Sequence, residues 1–130
     1  MLNHVEIQTT DVRASAAFYD AVLAPLGAGR RIEHQGRVGY GDERPEFWIG
    51  PVPEPTGSRS RSRARARESH LAFTAPDRSA VDAFHRAAAA LGAEILHAPK
   101  VWPRYHDTYY AAFVRDPDGN NIEAVCERPE

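Results

Sequence analysis

Residues 4–25, HVEIQTTDVRASAAFYDAVLAP, can be written directly above residues 70–91, HLAFTAPDRSAVDAFHRAAAAL, and the two read as one pattern used twice. The offset is 66 residues in a chain of 130, about half its length. Seven of the 22 aligned pairs are identical: His4/His70, Asp11/Asp77, Ala14/Ala80, Ala17/Ala83, Phe18/Phe84, Ala21/Ala87 and Ala24/Ala90. Alanine matches carry little weight in an alanine-rich chain. The His, Asp and Phe matches carry more, as does Leu26-Gly27 falling on Leu91-Gly92 after one gap, because they sit at the same structural punctuation marks. An internal repeat of this length points to two copies of one supersecondary unit.

Each unit opens with a strand, at residues 2–9 and 69–75. Val5 and Ile7 alternate with His4, Glu6 and Gln8; Leu71 and Phe73 alternate with His70, Ala72 and Thr74. That period of two gives each strand one apolar and one polar face. Asp11 and Asp77 are then placed to accept hydrogen bonds from the free amides of a first helical turn. Helices follow near 12–24 and 78–91, with apolar stripes of Val12, Ala16, Tyr19 and Leu23 in the first and Val81, Phe84, Ala88 and Leu91 in the second. Gly27 and Gly92 end them by tolerating a left-handed backbone. Strands are expected near 29–35, 37–42 and 46–50, and again near 94–98, 108–115 and 121–126. Asp116-Pro117-Asp118-Gly119 marks a turn between the last two. The expected fold is therefore α+β, two β-α-β-β-β modules whose mixed sheets curl into a cup. Module one covers 1–50, a linker 51–67 and module two 68–130, in a single domain.

Composition excludes several functions. The net charge of −2 offers nucleic acid or anionic membrane no electrostatic invitation. No apolar run approaches the roughly 18 residues of a membrane span, and the opening MLNHVEIQTTD does not read as a signal peptide. A single cysteine, Cys126, rules out an internal disulfide and a cysteine-rich metal site. A cytoplasmic protein is expected. The linker carries Arg59, Arg61, Arg63, Arg65 and Arg67 alternating with small residues. It reads as a solvated connection, or as an arm for an anionic ligand.

The polar faces hold the chemistry. Each first strand offers a histidine at the same repeat position, on the face away from its helix. In Asn120-Asn121-Ile122-Glu123-Ala124-Val125, Ile122 and Ala124 can pack on the helix, which turns Glu123 to the opposite face. If the two polar faces line one cavity, His4, His70 and Glu123 converge. Two neutral imidazoles and one carboxylate suit a divalent transition metal and leave positions open for water or substrate.

The paired modules, the opening His4 with its strand-helix unit ending at Gly27, and the closing Phe113-Val114-Arg115-Asp116-Pro117-Asp118-Gly119-Asn120-Asn121-Ile122-Glu123 resemble the vicinal-oxygen-chelate superfamily of glyoxalases, bleomycin-resistance proteins and extradiol dioxygenases. The resemblance covers nearly all of the chain outside 51–67. It implies a metal on side chains of the first and last strands of the modules, and it transfers to His4, His70 and Glu123. The fourth position falls in Pro45-Glu46-Phe47-Trp48-Ile49-Gly50, where Trp48 stands at the usual carboxylate place. Trp48 is read as a pocket wall; a small register error would instead make Glu46 a fourth ligand. The departure argues against a standard lactoylglutathione lyase.

The resemblance implies a divalent metal (Fe, Mn, Ni, Co or Zn), a small-molecule substrate chelated through two neighbouring oxygens, and a homodimer. The reaction could be that of a lyase, an isomerase or a dioxygenase, since fold does not dictate reaction. The alternatives are a metal-free drug-sequestering protein of the bleomycin-resistance type and, ranked last, thiol-conjugating resistance of the fosfomycin type. In the aromatic connection Trp102-Pro103-Arg104-Tyr105-His106-Asp107-Thr108-Tyr109-Tyr110, His106 reads either as a general acid/base or as a surface-loop histidine. Tyr109 joins Trp48 as an expected substrate contact. Asp116 and Asp118 read as turn formers and Cys126 as a small strand residue.

Overall fold

The computed structural model describes residues 1–53 and 67–130. Of the arginine-rich stretch, Arg59, Arg61, Arg63 and Arg65 lie outside the described residues, as does most of the 51–67 linker. The element order is β1 (Val5–Thr9), α1 (Val12–Leu23), a short 3-10 turn (Ala24–Leu26), β2 (Gly29–His34), β3 (Arg37–Gly41), β4 (Phe47–Pro51), β5 (His70–Thr74), α2 (Arg78–Ala90), β6 (Ile95–Val101), β7 (Tyr110–Arg115) and β8 (Asn121–Cys126). The repeat is thus two β-α-β-β-β modules. Each builds a four-stranded mixed sheet of the same order, β1-β4-β3-β2 and β5-β8-β7-β6. In each, the first strand runs parallel to the last and the other pairings are antiparallel.

The local signals act as the residues require. Asp11 Oδ1 accepts from Ala14 N at 3.0 Å and Asp77 Oδ1 from Ala80 N at 2.8 Å, satisfying amides that the helix itself cannot. Gly27 and Gly92 take φ of 86° and 73°, the left-handed conformation that a Cβ penalises. The first stripe packs as read, with Tyr19 and Leu23 fully buried and Val12 against the core. The second differs at its end. Leu91 is 51% exposed, because it lies one residue past α2 at the helix cap, where the chain has begun to turn away from the core. His4 likewise falls just before β1 rather than inside it.

One core serves both modules. Phe18, Tyr19, Val22, Tyr40, Phe47 and Ile49 from the first meet Val81, Phe84, Val114, Ile122 and Ala124 from the second. Helix α1 packs on α2, and the Phe47 and Phe73 rings meet edge-on at 5.2 Å. The Asp-Pro-Asp-Gly turn does more than reverse the chain. Buried Asp116 accepts from Tyr19 Oη at 2.6 Å and from Asn120 Nδ2 at 2.9 Å. Asp118 accepts from the Thr9 hydroxyl, from Thr10 N at 3.0 Å and from Thr10 Oγ1 at 2.7 Å. Both aspartates therefore tie module two to module one.

Candidate metal centre and aromatic face

With the apolar faces of the sheets turned to the helices, their polar faces stay open. On β5, His70, Ala72 and Thr74 are exposed while Leu71 and Phe73 pack on the core; on β1, Glu6 and Gln8 are exposed while Val5 and Ile7 pack. Strand pairing aligns Ala72 with Glu123, and Glu123 with Phe113. Glu123 lies on this open face, yet is only 2% exposed.

A carboxylate so covered needs partners. Tyr109 Oη donates to Glu123 Oε1 at 2.6 Å, and His70 Nε2 lies 3.1 Å from Glu123 Oε2. His70 Nδ1 stands 3.1 Å from the carbonyl oxygen of Asn121. A carbonyl can only accept, so Nδ1 carries a proton. A neutral ring would then aim its Nε2 lone pair at a carboxylate oxygen, and the contact calls for a positive charge between the two, either a proton or a metal ion. Two donors on one ion at bond lengths of about 2.0–2.2 Å sit about 3 Å apart, which the observed separation matches. The pair therefore fits two ligands of one metal. Burial first, then the bond to the charged Glu123, raises the Tyr109 phenol well above its usual range, so it remains a donor at any physiological pH.

His4 does not join this pair. It is exposed, and its Nδ1 donates to Asn3 Oδ1 at 2.7 Å. Among the described residues, no group of three or more His, Cys, Asp or Glu side chains is placed to share a metal. His4 lies at the end of β1 opposite Thr9 and Thr10, which hold Asp118 just ahead of β8.

The first module's counterpart of Glu123 can be read from the register. Trp48 pairs with Glu6 on β1 as Glu123 pairs with Ala72 on β5. Trp48 lies over Gly39, where an added Cβ would come within 3.0 Å of Trp48 Cε2 and 2.8 Å of Pro45 Cβ. Glu46 is paired with Arg44 at 3.3 Å. The other sequence-derived position, His106, contacts Glu127 through Nε2 at 3.1 Å and meets the Tyr109 ring edge-on.

Sequence reading singled out the aromatic connection from Trp102 to Tyr110 but missed Phe113 and His97 beside Glu123. His70 stacks on Phe113 with centroids 6.1 Å apart, while His97 and Trp102 meet Phe113 edge-on at 5.6 and 5.2 Å. The parity of β7 could have placed Phe113, since it shares a face with Ala111 and Arg115 rather than with core-facing Val114. No local signal announced His97, which reaches that face past a register shift in β6. Two open clefts, of about 520 and 720 Å³, lie elsewhere, and neither is lined by His4, His70 or Glu123.

A family model described as the glyoxalase/bleomycin resistance protein/dioxygenase superfamily matches residues 1–124. The chain belongs to that superfamily. As a member, it is 27% identical over 125 residues to an uncharacterized Bacillus subtilis protein, YqjT, covering 96% of this chain and 98% of that one. Among solved structures it is similar to a glyoxalase/bleomycin resistance protein from Albidiferax ferrireducens, with 32% identity, a TM-score of 0.74 and 98% of each chain covered. A putative glyoxalase from Bacillus halodurans shares 28% identity at a TM-score of 0.66, over 96% of this chain and 94% of that one. A lactoylglutathione lyase from Agrobacterium tumefaciens matches at 21% identity and a TM-score of 0.66, over 96% of this chain and 92% of that one, a likeness of fold. The superfamily member described here thus has the α+β vicinal-oxygen-chelate fold. No helix among its described residues is long and apolar enough to cross a membrane.

Proposed function

We infer that this superfamily member is a divalent-metal-dependent enzyme acting on a small substrate that offers two neighbouring oxygens. The observation that carries the reading is the His70 Nε2–Glu123 Oε2 separation of 3.1 Å, on an open sheet face with the carboxylate covered and anchored. His70 and Glu123 would hold the ion. His4 would come from a second copy of the chain in a homodimer, because within one chain it does not group with this pair. The exposed polar faces of β1 and β5 are the surfaces left free to meet.

When bound, such an ion polarises substrate oxygens and stabilises negative charge on them. The chain's own residues prepare that site. Tyr109 occupies Oε1 of Glu123 and leaves Oε2 toward His70. The Asn121 carbonyl orients the imidazole through Nδ1. Phe113 and Trp102 exclude water beside the carboxylate, and Trp48 walls the first module's open face. His106, paired with Glu127 and set against the Tyr109 ring, is a further candidate for moving a proton. Lyase, isomerase and dioxygenase chemistry all remain compatible with this donor set.

The test is metal content by elemental mass spectrometry, with dimer mass by light scattering, for the parent and for His70→Ala, Glu123→Gln and His4→Ala. Stoichiometric metal lost in all three variants supports the reading. A parent that stays empty after exposure to Fe(II), Mn(II), Co(II), Ni(II) and Zn(II) ends it. The second reading, a metal-free sequestering protein, is favoured by the aromatic face and would then stand, with the His70–Glu123 contact as an ion pair.

A further inference from the structure

The connection between β6 and β7 folds back over the sheet face that carries Glu123. Trp102 N donates to the Tyr109 carbonyl at 2.8 Å, and Trp102 Nε1 donates to the Ala111 carbonyl at 3.2 Å. The side chains close a ring. Glu123 neighbours Phe113 across β8 and β7; Phe113 meets Trp102 at 5.2 Å, Trp102 meets Tyr105 at 6.4 Å, and Tyr105 meets Tyr109 at 4.9 Å. Tyr109 returns to Glu123 through its 2.6 Å hydrogen bond.

Two cations sit on this ring. Lys100 Nζ lies 4.1 Å from the Trp102 centroid. The Arg104 guanidinium carbon lies 5.5 Å from Trp102 and 4.7 Å from Tyr105. Arg104 Nη2 donates to Tyr105 Oη at 2.7 Å, one of its five N–H groups. Among the described residues, neither cation has a carboxylate within ion-pairing distance. Of the nearby acids, Glu123 is engaged by Tyr109 and His70 and Glu127 by His106, while Asp107 is exposed in the same connection and pairs with neither cation. A guanidinium stacked on an aromatic ring is held flat with its N–H edge free, an arrangement suited to a carboxylate or phosphate.

Position adds a length. Lys100 pairs with Ala111 on β7, and Phe113 pairs with Glu123 on β8, so Lys100 lies two strands and two residues from Glu123. Strand spacing and rise put their Cα atoms about 12 Å apart. Trp102 and Phe113 line the stretch between them, an aromatic surface that favours an aromatic ligand over an aliphatic one.

We propose that Lys100 and Arg104, mounted on Trp102 and Tyr105, form an anion subsite for a ligand that carries a carboxylate or phosphate on a flat aromatic body. This names a substrate class for the site proposed above and rests on that reading for its catalytic meaning, although the binding itself requires no metal.

The experiment is a titration of the full-length ¹⁵N-labelled protein, in chelator-containing buffer, with 3-phenylpropionate and its neutral isostere 3-phenylpropanamide. Inorganic phosphate serves as the body-less anion. The acid binds about ten-fold more tightly than the amide, as a charge-assisted hydrogen bond provides, and shifts the indole N–H resonance of Trp102. The preference falls to about two-fold or less in Lys100→Met/Arg104→Met and survives in Lys100→Arg. Both cations are exposed, so the variants fold, as their unchanged spectra elsewhere will show. No binding of the acid, equal binding of the amide, or a preference intact in the double variant overturns the subsite. Phosphate binding as tightly as the acid overturns the aromatic part. The metal titrations above stand or fall independently of all these outcomes.

Discussion

Tyr109 Oη and Glu123 Oε1, 14 residues apart in the chain, lie 2.6 Å from each other, and this contact orients the one covered carboxylate on the open face of the second sheet. A hydrogen bond to a charged acceptor contributes more than one between neutral groups, and a carboxylate that is 2% exposed cannot recover the loss from water. Tyr109→Phe keeps the ring against Tyr105 and His106 and removes only the donor. We expect about 1.5–3 kcal/mol of destabilisation in metal-free protein by urea unfolding. Metal affinity should also fall, by about 10–100-fold, as for a partner that orients a ligand. Unchanged metal affinity would assign Tyr109 to packing alone.

His70 and Glu123 share one contact but differ in surroundings, and their variants should separate accordingly. His70 is half exposed and Glu123 is covered. His70→Ala opens Glu123 Oε2 to water while Tyr109 still holds Oε1, so it should cost less than Tyr109→Phe, under about 1.5 kcal/mol, while removing metal binding. Glu123→Ala should remove metal binding and also cost about 1–3 kcal/mol, since it leaves Tyr109 Oη without its acceptor. Calorimetric unfolding of both variants checks the difference.

Tyr19 reaches across the module boundary to Asp116 at 2.6 Å, with both groups buried. Burial, then the Asp116 charge, raises the Tyr19 phenol far above its ordinary range, so this donor stays protonated. Tyr19→Phe should destabilise the whole chain by about 1–3 kcal/mol in a single transition, because the two modules share one core. Two separate transitions in denaturant would show that the modules fold independently.

Asp118 supplies a pH dependence. Burial alone would raise its carboxyl, but bonds from Thr9, Thr10 and Ser15 outweigh it and hold the group below its usual value. A folded value below the unfolded one stabilises the protein above the unfolded pKa of about 3.9. That contribution is lost as pH falls through the folded value. The melting temperature of the parent should therefore exceed that of Asp118→Asn at pH 6 and approach it on acidification through the folded value. A gap that stays constant with pH would place the stabilisation in shape rather than charge.

Gly39 tests the first module. A Cβ there meets Trp48 and Pro45 inside contact distance. Gly39→Ala should cost about 1–3 kcal/mol through overpacking, and should move the emission of Trp48 while leaving the His70–Glu123 pair in place. Fluorescence of the variant in a Trp102→Phe background isolates that signal.

Local patterns were enough to reveal much of this protein. The 66-residue offset, the alternation on β1 and β5, the Asp caps and the glycine stops depend on residues close in sequence, so the modules, the element order within each and the face carrying Glu123 could all be read, whereas the strand order in each sheet could not. The family resemblance through the closing strand rested on the same local signals. Only tertiary structure decided which residues meet. His70 and Glu123 come together because β5 pairs directly with β8. His4, exposed and bonded to Asn3, stands apart from them. Bonds from Tyr19, Thr9 and Thr10 turned two apparent turn-formers, Asp116 and Asp118, into clamps between modules. The aromatic ring and its two cations arise where a connecting segment folds back over a sheet. Strand periodicity tells which face a side chain takes, but the packing of one module on another sets what lies opposite it.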